Sequence, residues 1–384
     1  MNMKVTGIVL AIALLLSACS TAGEDVPHLA IIDEGQVVVL DADGSNRIPI
    51  TEEPGSFFFQ PVWSDDGGLL AFSRVGSNPA IYIAAADGTA TLSAATETLP
   101  FYFAWSPDEQ LALLRNGVTG IALEVTEIAD DQLSPPRQID SGAPLYFSWD
   151  PDGEDLATHI GTDRLDLNDL ETSRPLGPNP GAFQAAPWTP VGIIASEQGT
   201  RDDKLIRIAA DGTTTPLVSL LGSTTIVANP DGSRVAIQTT LDARNGVNAS
   251  YQAIPTAPSN RVVVVDTTTG DLVAATEEPV FAYFWSPAGD QLLTLDIVPG
   301  PEARWSVWDG DELTELVRFE PEPSFLRELV PFFDQYAQSV SLWAPDGSAF
   351  AFPGTVDGES GIWVQQLEGS RQRVSSGTWV SWSP

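Results

Sequence analysis

The chain has 384 residues, 43% hydrophobic and 18% charged, so it holds ample material for a core and is not a disordered polymer. Asp and Glu number 52 against 18 Lys and Arg, a net charge of −34, and a surface this acidic is repelled by phosphate backbones and anionic headgroups, which excludes nucleic-acid binding and polybasic membrane docking. A single cysteine excludes a disulfide framework and a cysteine-based zinc cluster, and two histidines, His28 and His159, leave little for metal or triad chemistry.

Lys4 precedes an apolar run of 12 residues, Val5 to Leu16. The run is shorter than the ~20 residues of a membrane span and fits the apolar region of a signal peptide. It ends in Leu16-Ser17-Ala18-Cys19, which resembles the bacterial lipoprotein signal, the lipobox. The resemblance implies diacylglyceryl transfer to the Cys19 thiol, cleavage before Cys19 and acylation of the new N-terminus. An ordinary secretory signal is the alternative. Each buried methylene contributes ~0.8 kcal/mol, so two or more acyl chains anchor stably where one does not. With Ser20 following, the same resemblance implies the outer membrane in a Gram-negative cell, and otherwise the outer face of the cytoplasmic membrane. Residues 1–18 therefore read as a lipoprotein signal peptide, 19–27 as the lipidated cysteine and a polar tether, and 28–384 as the folded part. After Lys4 the sole lysine is Lys204, a composition that suits a saline habitat or a merely soluble acidic exoprotein.

From residue 28 onward a repeat runs to the end. Trp63-Ser64-Asp65-Asp66-Gly67, Trp105-Ser106-Pro107-Asp108, Trp149-Asp150-Pro151-Asp152-Gly153 and Trp188-Thr189-Pro190 are each followed by a short apolar stretch. Asn229-Pro230-Asp231-Gly232, Trp285-Ser286-Pro287-Ala288-Gly289, Trp343-Ala344-Pro345-Asp346-Gly347 and Trp382-Ser383-Pro384 continue it. The Trp-equivalent positions are spaced by 42, 44, 39, 41, 56, 58 and 39 residues. Four-stranded propeller blades repeat every ~40–45 residues. Each unit reads as an aromatic-rich strand ending at the Trp, a Pro-Asp-Gly turn, two apolar strands and a more polar fourth strand. Residues 29–51 supply three strands without a first, and 378–384 supply a first strand alone, so the chain ends are expected to meet in one blade. The prediction is an all-β β-propeller of eight four-stranded blades, or seven if the units around Trp188 and Asn229 are parsed differently.

The Trp-Ser-Pro-Asp-Gly-x-x-Leu-Ala-Phe pattern resembles the TolB-like β-propeller repeat, which also occurs in the propellers of prolyl oligopeptidase and dipeptidyl peptidase IV. The likeness covers residues 28–384 and speaks to fold, since function is carried by sites. Tol-system proteins carry an α/β domain before the propeller, and the peptidases carry a hydrolase domain with a Gly-x-Ser-x-Gly elbow. This sequence offers neither, and Gly358-Glu359-Ser360-Gly361 lacks the elbow spacing. Neither a Tol role nor peptidase activity is carried over.

Candidate chemistry is sparse. Asp41-Ala42-Asp43-Gly44 and Asp309-Gly310-Asp311-Glu312 suggest calcium, but they lack the alternating twelve-residue ligand pattern and read as hairpin turns. No cofactor is called for, with structural Ca²⁺ at the channel mouth as the alternative. His28 and His159 read as strand residues. The repeated tryptophans read as blade packing, as do Trp305, Trp308, Trp363 and Trp379, which have sugar or peptide contacts as their alternative.

Two long steps imply insertions at 241–259 and 320–339. In the second, Phe325, Leu329, Phe332 and Tyr336 fall at helical spacing, with Ser324 as a cap and Pro331 as a break. This segment reads as a short helix packed on the propeller or as a docking element for a partner. The functional expectation is a non-enzymatic envelope lipoprotein. It is held at the membrane through lipid on Cys19, binds a protein, peptide or glycan partner and is accessory to a transport or envelope complex. The alternative is a carboxylate-dependent glycan or peptide hydrolase or lyase working in the channel.

Overall fold

The computed structural model describes residues 27–177, 179–200, 202–241 and 254–384. Leu16, Ser17, Ala18 and Cys19, and most of the 241–259 insertion, lie outside the described residues.

Local sequence sets each sheet. In the first unit, strand His28–Asp33 pairs with Gln36–Asp41, and Ile48–Pro49 adds the outer edge. The middle strands are apolar runs rather than alternating patterns, because sheets cover them on both faces: Val37 to Leu40 and Ala80 to Ala84 are buried throughout. Outer strands such as Thr91–Ala95 alternate between exposed and half-buried, which explains their polar composition. Among the described residues six such sheets have four strands each. A seventh sheet has seven strands, because Glu320 and Pro321, at the end of strand Leu313–Pro321, pair with Thr355 and Gly354 of the next unit. The inner position of that next unit is reduced to a single bridge between Trp343 and Phe350.

The chain ends meet as expected. Strand Trp379–Trp382 pairs antiparallel with His28–Asp33, in the register Leu29↔Trp382, Ala30↔Ser381, Ile31↔Val380 and Ile32↔Trp379. The closure covers what would otherwise be a free sheet edge.

The Pro-Asp-Gly turns are geometrically uniform. Gly67, Gly153, Gly232, Gly289 and Gly347 all have φ between +69° and +79°, a conformation that favours glycine. At Gly232 an added Cβ would lie 2.4 Å from the Thr189 hydroxyl of the preceding unit, so the small residue also permits blade contact.

The repeated tryptophans do more than fill space. The Trp63 indole N–H donates to the Ser381 carbonyl (3.1 Å), Trp105 to Val62 (3.3 Å) and Trp149 to Ala104 (3.1 Å). Trp285 donates to Val227 (3.0 Å) and Trp343 to Phe284 (3.1 Å). Each bond ties one inner strand to the preceding one. Asn229 occupies the repeat position without an indole, and its side chain instead accepts the Arg234 N–H of its own turn (2.9 Å).

The 320–339 segment departs from the sequence reading. It is not one helix laid on a face. Phe325–Leu329 forms a π turn, Val330–Phe332 a 3₁₀ turn and Phe333–Tyr336 one α turn. The change of type occurs at Pro331, which has no N–H to give. Ser324 makes no side-chain cap. Instead the Glu322 carboxylate accepts the Phe325 N–H (3.2 Å) together with the N–H and hydroxyl of Ser324.

Candidate functional site

The inner strands surround an axial channel, and residues 322–340 plug it. Phe325 anchors the plug in an aromatic cluster: its ring lies 6.2 Å from Trp305, which stacks on Phe319 at 6.1 Å. Further along, Gln335 binds the backbone of Phe147 twice, accepting its N–H (3.1 Å) and donating to its carbonyl (2.8 Å). The Tyr102 hydroxyl donates to the Gln335 carbonyl (2.9 Å), and the Tyr336 hydroxyl donates to the Phe101 carbonyl (3.0 Å) and accepts from Gln60. Phe333 packs against Tyr283 and Phe284 at 4.8 and 6.0 Å. One short segment thus touches inner strands from most of the ring.

Asp334 is buried at the centre of this plug. Its carboxylate accepts the N–H groups of Ala185 and Gln335 (both 3.2 Å), and Tyr146 is a further hydrogen-bond partner. No cation faces it among the described residues, and burial raises its pKa to about 6 despite these bonds.

Three of the four residues expected to receive a partner are therefore inside the protein. Phe325 and Leu329 are 1% exposed and Tyr336 5%, whereas Phe332 is 48% exposed. They serve the protein's own channel because the segment turns inward and finds aromatic partners there.

Below the plug the channel opens into a vestibule of about 550 Å³. Trp63, Trp105, Trp188, Trp285, Trp343 and Trp382 stand around it, Pro187, Pro230, Pro287 and Pro345 widen its wall, and residues 337–343 form its floor. Among the described residues Asp65 is the one charged side chain lining it. Crowding by surrounding protein, and secondarily Asp66, holds the Asp65 carboxyl above its ordinary range. At the opposite end, a smaller cavity of about 270 Å³ lies between Phe57, Gln60, Glu328 and Trp379. Burial raises the Glu328 carboxyl as well, with Arg327 at 3.1 Å opposing the shift.

The remaining candidates resolve into structural roles. His159 is fully buried in strand Leu156–Ile160, its Nδ1 is 2.8 Å from the Gln184 carbonyl, and burial lowers its pKa to about 4. His28 Nδ1 lies 3.0 Å from an Asp41 carboxylate oxygen. In the Asp41–Gly44 turn, Asp43 accepts the Ser45 N–H (2.8 Å) and Asp41 accepts from Asn46 (2.6 Å). Asp309 accepts the N–H groups of Asp311 (3.0 Å) and Glu312 (2.8 Å). These are turn hydrogen bonds. Trp305, Trp308, Trp363 and Trp379 are all buried packing residues. Among the described residues no group of three or more His, Cys, Asp or Glu side chains is placed to hold a metal ion, and no helix is long and apolar enough to cross a membrane.

Sequence reasoning missed Gln335 and Asp334, whose partners lie far away in the chain, and the indole bonds. The recurrence of Trp rather than Phe or Leu at one position was the available signal for the latter, since only Trp carries a donor.

No protein-family model matches the chain, and no curated relative matches it. Among solved structures it resembles TolB from Acinetobacter baumannii, with 15% identity over 75% of this chain and a TM-score of 0.43. The chain spans 62% of that TolB's length. It resembles an oligogalacturonate lyase from Vibrio parahaemolyticus with 13% identity over 90% of this chain and 98% of that one, TM-score 0.53. The β-propeller domain of the Trilobed protease from Pyrococcus furiosus is similar at 11% identity over 85% of this chain and 97% of that one, TM-score 0.50. That domain is described as having an open velcro topology, whereas here the terminal strands pair. At these identities the likeness is one of fold, and the chain is a β-propeller.

Proposed function

We propose that the protein is a lipid-anchored cell-envelope module that binds a protein, peptide or glycan partner in the axial vestibule, without catalysis, as an accessory to a transport or envelope complex. The vestibule carries this reading. It is open at one end, closed by the plug at the other, and walled by strands that indole bonds and backbone pairing hold in place, so a ligand meets a preformed surface. The sequence supports the anchor through Leu16-Ser17-Ala18-Cys19. Glycoside hydrolysis by carboxylates uses a pair of acidic side chains flanking one substrate bond, and among the described residues Asp65 is the one acidic side chain lining this cavity.

The test uses the full chain in its native membrane. Gln338 is an exposed residue of the vestibule floor, and Gln338→Trp would fill the space above it. Cross-linking on intact cells is expected to recover a reproducible partner with the natural chain and to lose it with Gln338→Trp. Equal recovery by both chains, or no partner with either, would overturn the reading. In parallel, Cys19→Ala is expected to leave the membrane fraction, and unchanged membrane association would remove the anchor from the proposal.

A further inference from the structure

The mouth of the vestibule has a charge distribution that narrows the partner class. The turns that follow the inner strands, at 64–68, 106–110, 150–155, 190–191, 229–233, 286–291 and 344–348, lie at the vestibule end of those strands. Together they carry 11 Asp and Glu residues and no Lys or Arg. Among the described residues none of these carboxylates forms an ion pair with a Lys or Arg. Some acidic groups elsewhere are neutralised, among them Asp33 by Arg47, Glu124 by Arg115 and Asp296 by Arg304. The vestibule end thus presents clustered negative charge, with Arg234 and Arg174 acting on Asp231 and Asp155 from outside the turns, over a cavity walled by Trp and Pro.

These two features fit different parts of one ligand. The charged heads of lysine and arginine sit on long aliphatic stems. The stems can lie along apolar and aromatic walls while the heads reach carboxylates at the rim, and an ammonium or guanidinium is also attracted to an indole face. A single small cation would meet Asp65 alone within the cavity. Carboxylates spread over several turns, eight of the 11 on 64–68, 106–110 and 150–155, suit several cations spaced along one chain. We infer that the vestibule receives an extended, lysine- or arginine-rich peptide segment of a partner protein. The inference rests on the binding-module reading and specifies its ligand.

The probe is a fluorescein-labelled hexapeptide of alternating lysine and alanine, with glutamate–alanine and serine–alanine peptides as comparisons. Binding to the full chain, purified in detergent, is read by fluorescence anisotropy at physiological salt. Because any polycation is drawn to a protein of this charge, the deciding comparison uses two variants of equal charge change. One is Asp65→Asn/Asp108→Asn/Glu109→Gln at the mouth. The other is Glu52→Gln/Glu278→Gln/Glu302→Gln, in connections at the opposite ends of the strands. Saturable binding of the lysine peptide is expected to weaken tenfold or more in the mouth variant, to change less than twofold in the remote variant, and to vanish in Gln338→Trp. Affinity should also fall as salt rises. Equal weakening in both triple variants, binding that survives Gln338→Trp, or equal binding of the serine or glutamate peptide would overturn the inference. If Gln338→Trp removes the cellular partner while the lysine peptide fails to bind, the partner class is wrong and the module reading stands. If Gln338→Trp leaves the cellular partner in place, the module reading itself is wrong.

Discussion

The two ends of the axial channel are built by opposite means. The vestibule end is made by repetition. Its shaping bonds are local turns, such as Gly67 N–H to Ser64 and Gly232 N–H to Asn229, plus indole bonds copied from unit to unit. The plugged end is made once. Its bonds to the ring join residues 149 to 276 positions apart, from Asp334 with Ala185 to Tyr336 with Gln60. Repetition spreads the load, so the ring tolerates Asn229 where the pattern has Trp. The plug concentrates long-range contacts in a few side chains, and a single change there should be felt across several sheets.

The sharpest break of this contrast is Phe325→Ala. Phe325 is 1% exposed beside Trp305, so truncation should cost about 3–5 kcal/mol as a cavity opens where the plug is anchored. Phe332→Ala, seven residues on and 48% exposed, should stay within about 0.5 kcal/mol. Denaturant midpoints separate the two. Equal losses would mean that the plug does not sit as described.

Asp334→Asn tests the plug through pH. The carboxyl titrates near 3.8 unfolded and near 6 folded, so the folded state holds the proton more tightly. The stability this gives is fully present below about pH 4 and is lost as pH rises to about 6. Two pKa units at ~1.4 kcal/mol each give about 3 kcal/mol. Asparagine does not titrate and retains an acceptor for the Ala185 N–H. The stability difference, variant minus natural chain, should therefore rise by up to that amount between pH 4 and 6 and then level off. A difference that is flat with pH would place the carboxylate in contact with water or a cation.

The contrast also explains what the sequence made legible. Trp, Pro-Asp-Gly and the apolar strands recur at a near-constant spacing, and each occurrence reinforces the others. Fold and closure could be read for that reason, down to the strand at residues 378–384. The stripe Phe325, Leu329, Phe332 and Tyr336 occurs once. Helical spacing marks a segment with an apolar side but not what covers that side. Here the cover is the inner strands of many units, and Pro331 turns Phe332 away from the others. Asp334 gave no signal, because one carboxylate among 52 acidic residues has no pattern around it. The vestibule was half legible: the tryptophans at its wall recur in the sequence, but the enclosed volume depends on where the plug stops.

The smallest expected effect lies in the repeat, at the one Pro-Asp turn without its glycine. In 106–110 the left-handed position is held by Glu109, with φ +60°, where the equivalent Gly67 has +71°. A side chain there strains the backbone, and Glu109 is exposed, so its removal uncovers no core. Against this, glycine loses more conformational freedom on folding. The strain is the larger of the two opposing terms, so Glu109→Gly should stabilise by about 0.5–1 kcal/mol. Gly67→Ala, with no steric conflict closer than 3.6 Å, should destabilise by about 1 kcal/mol for the same reason in reverse. Because both turns belong to the repeated end, neither change should reach the plug, and the pH profile that Asp334 imposes should be unaltered in both. A shift in that profile would show that the two ends are coupled and that the division between them is drawn too sharply.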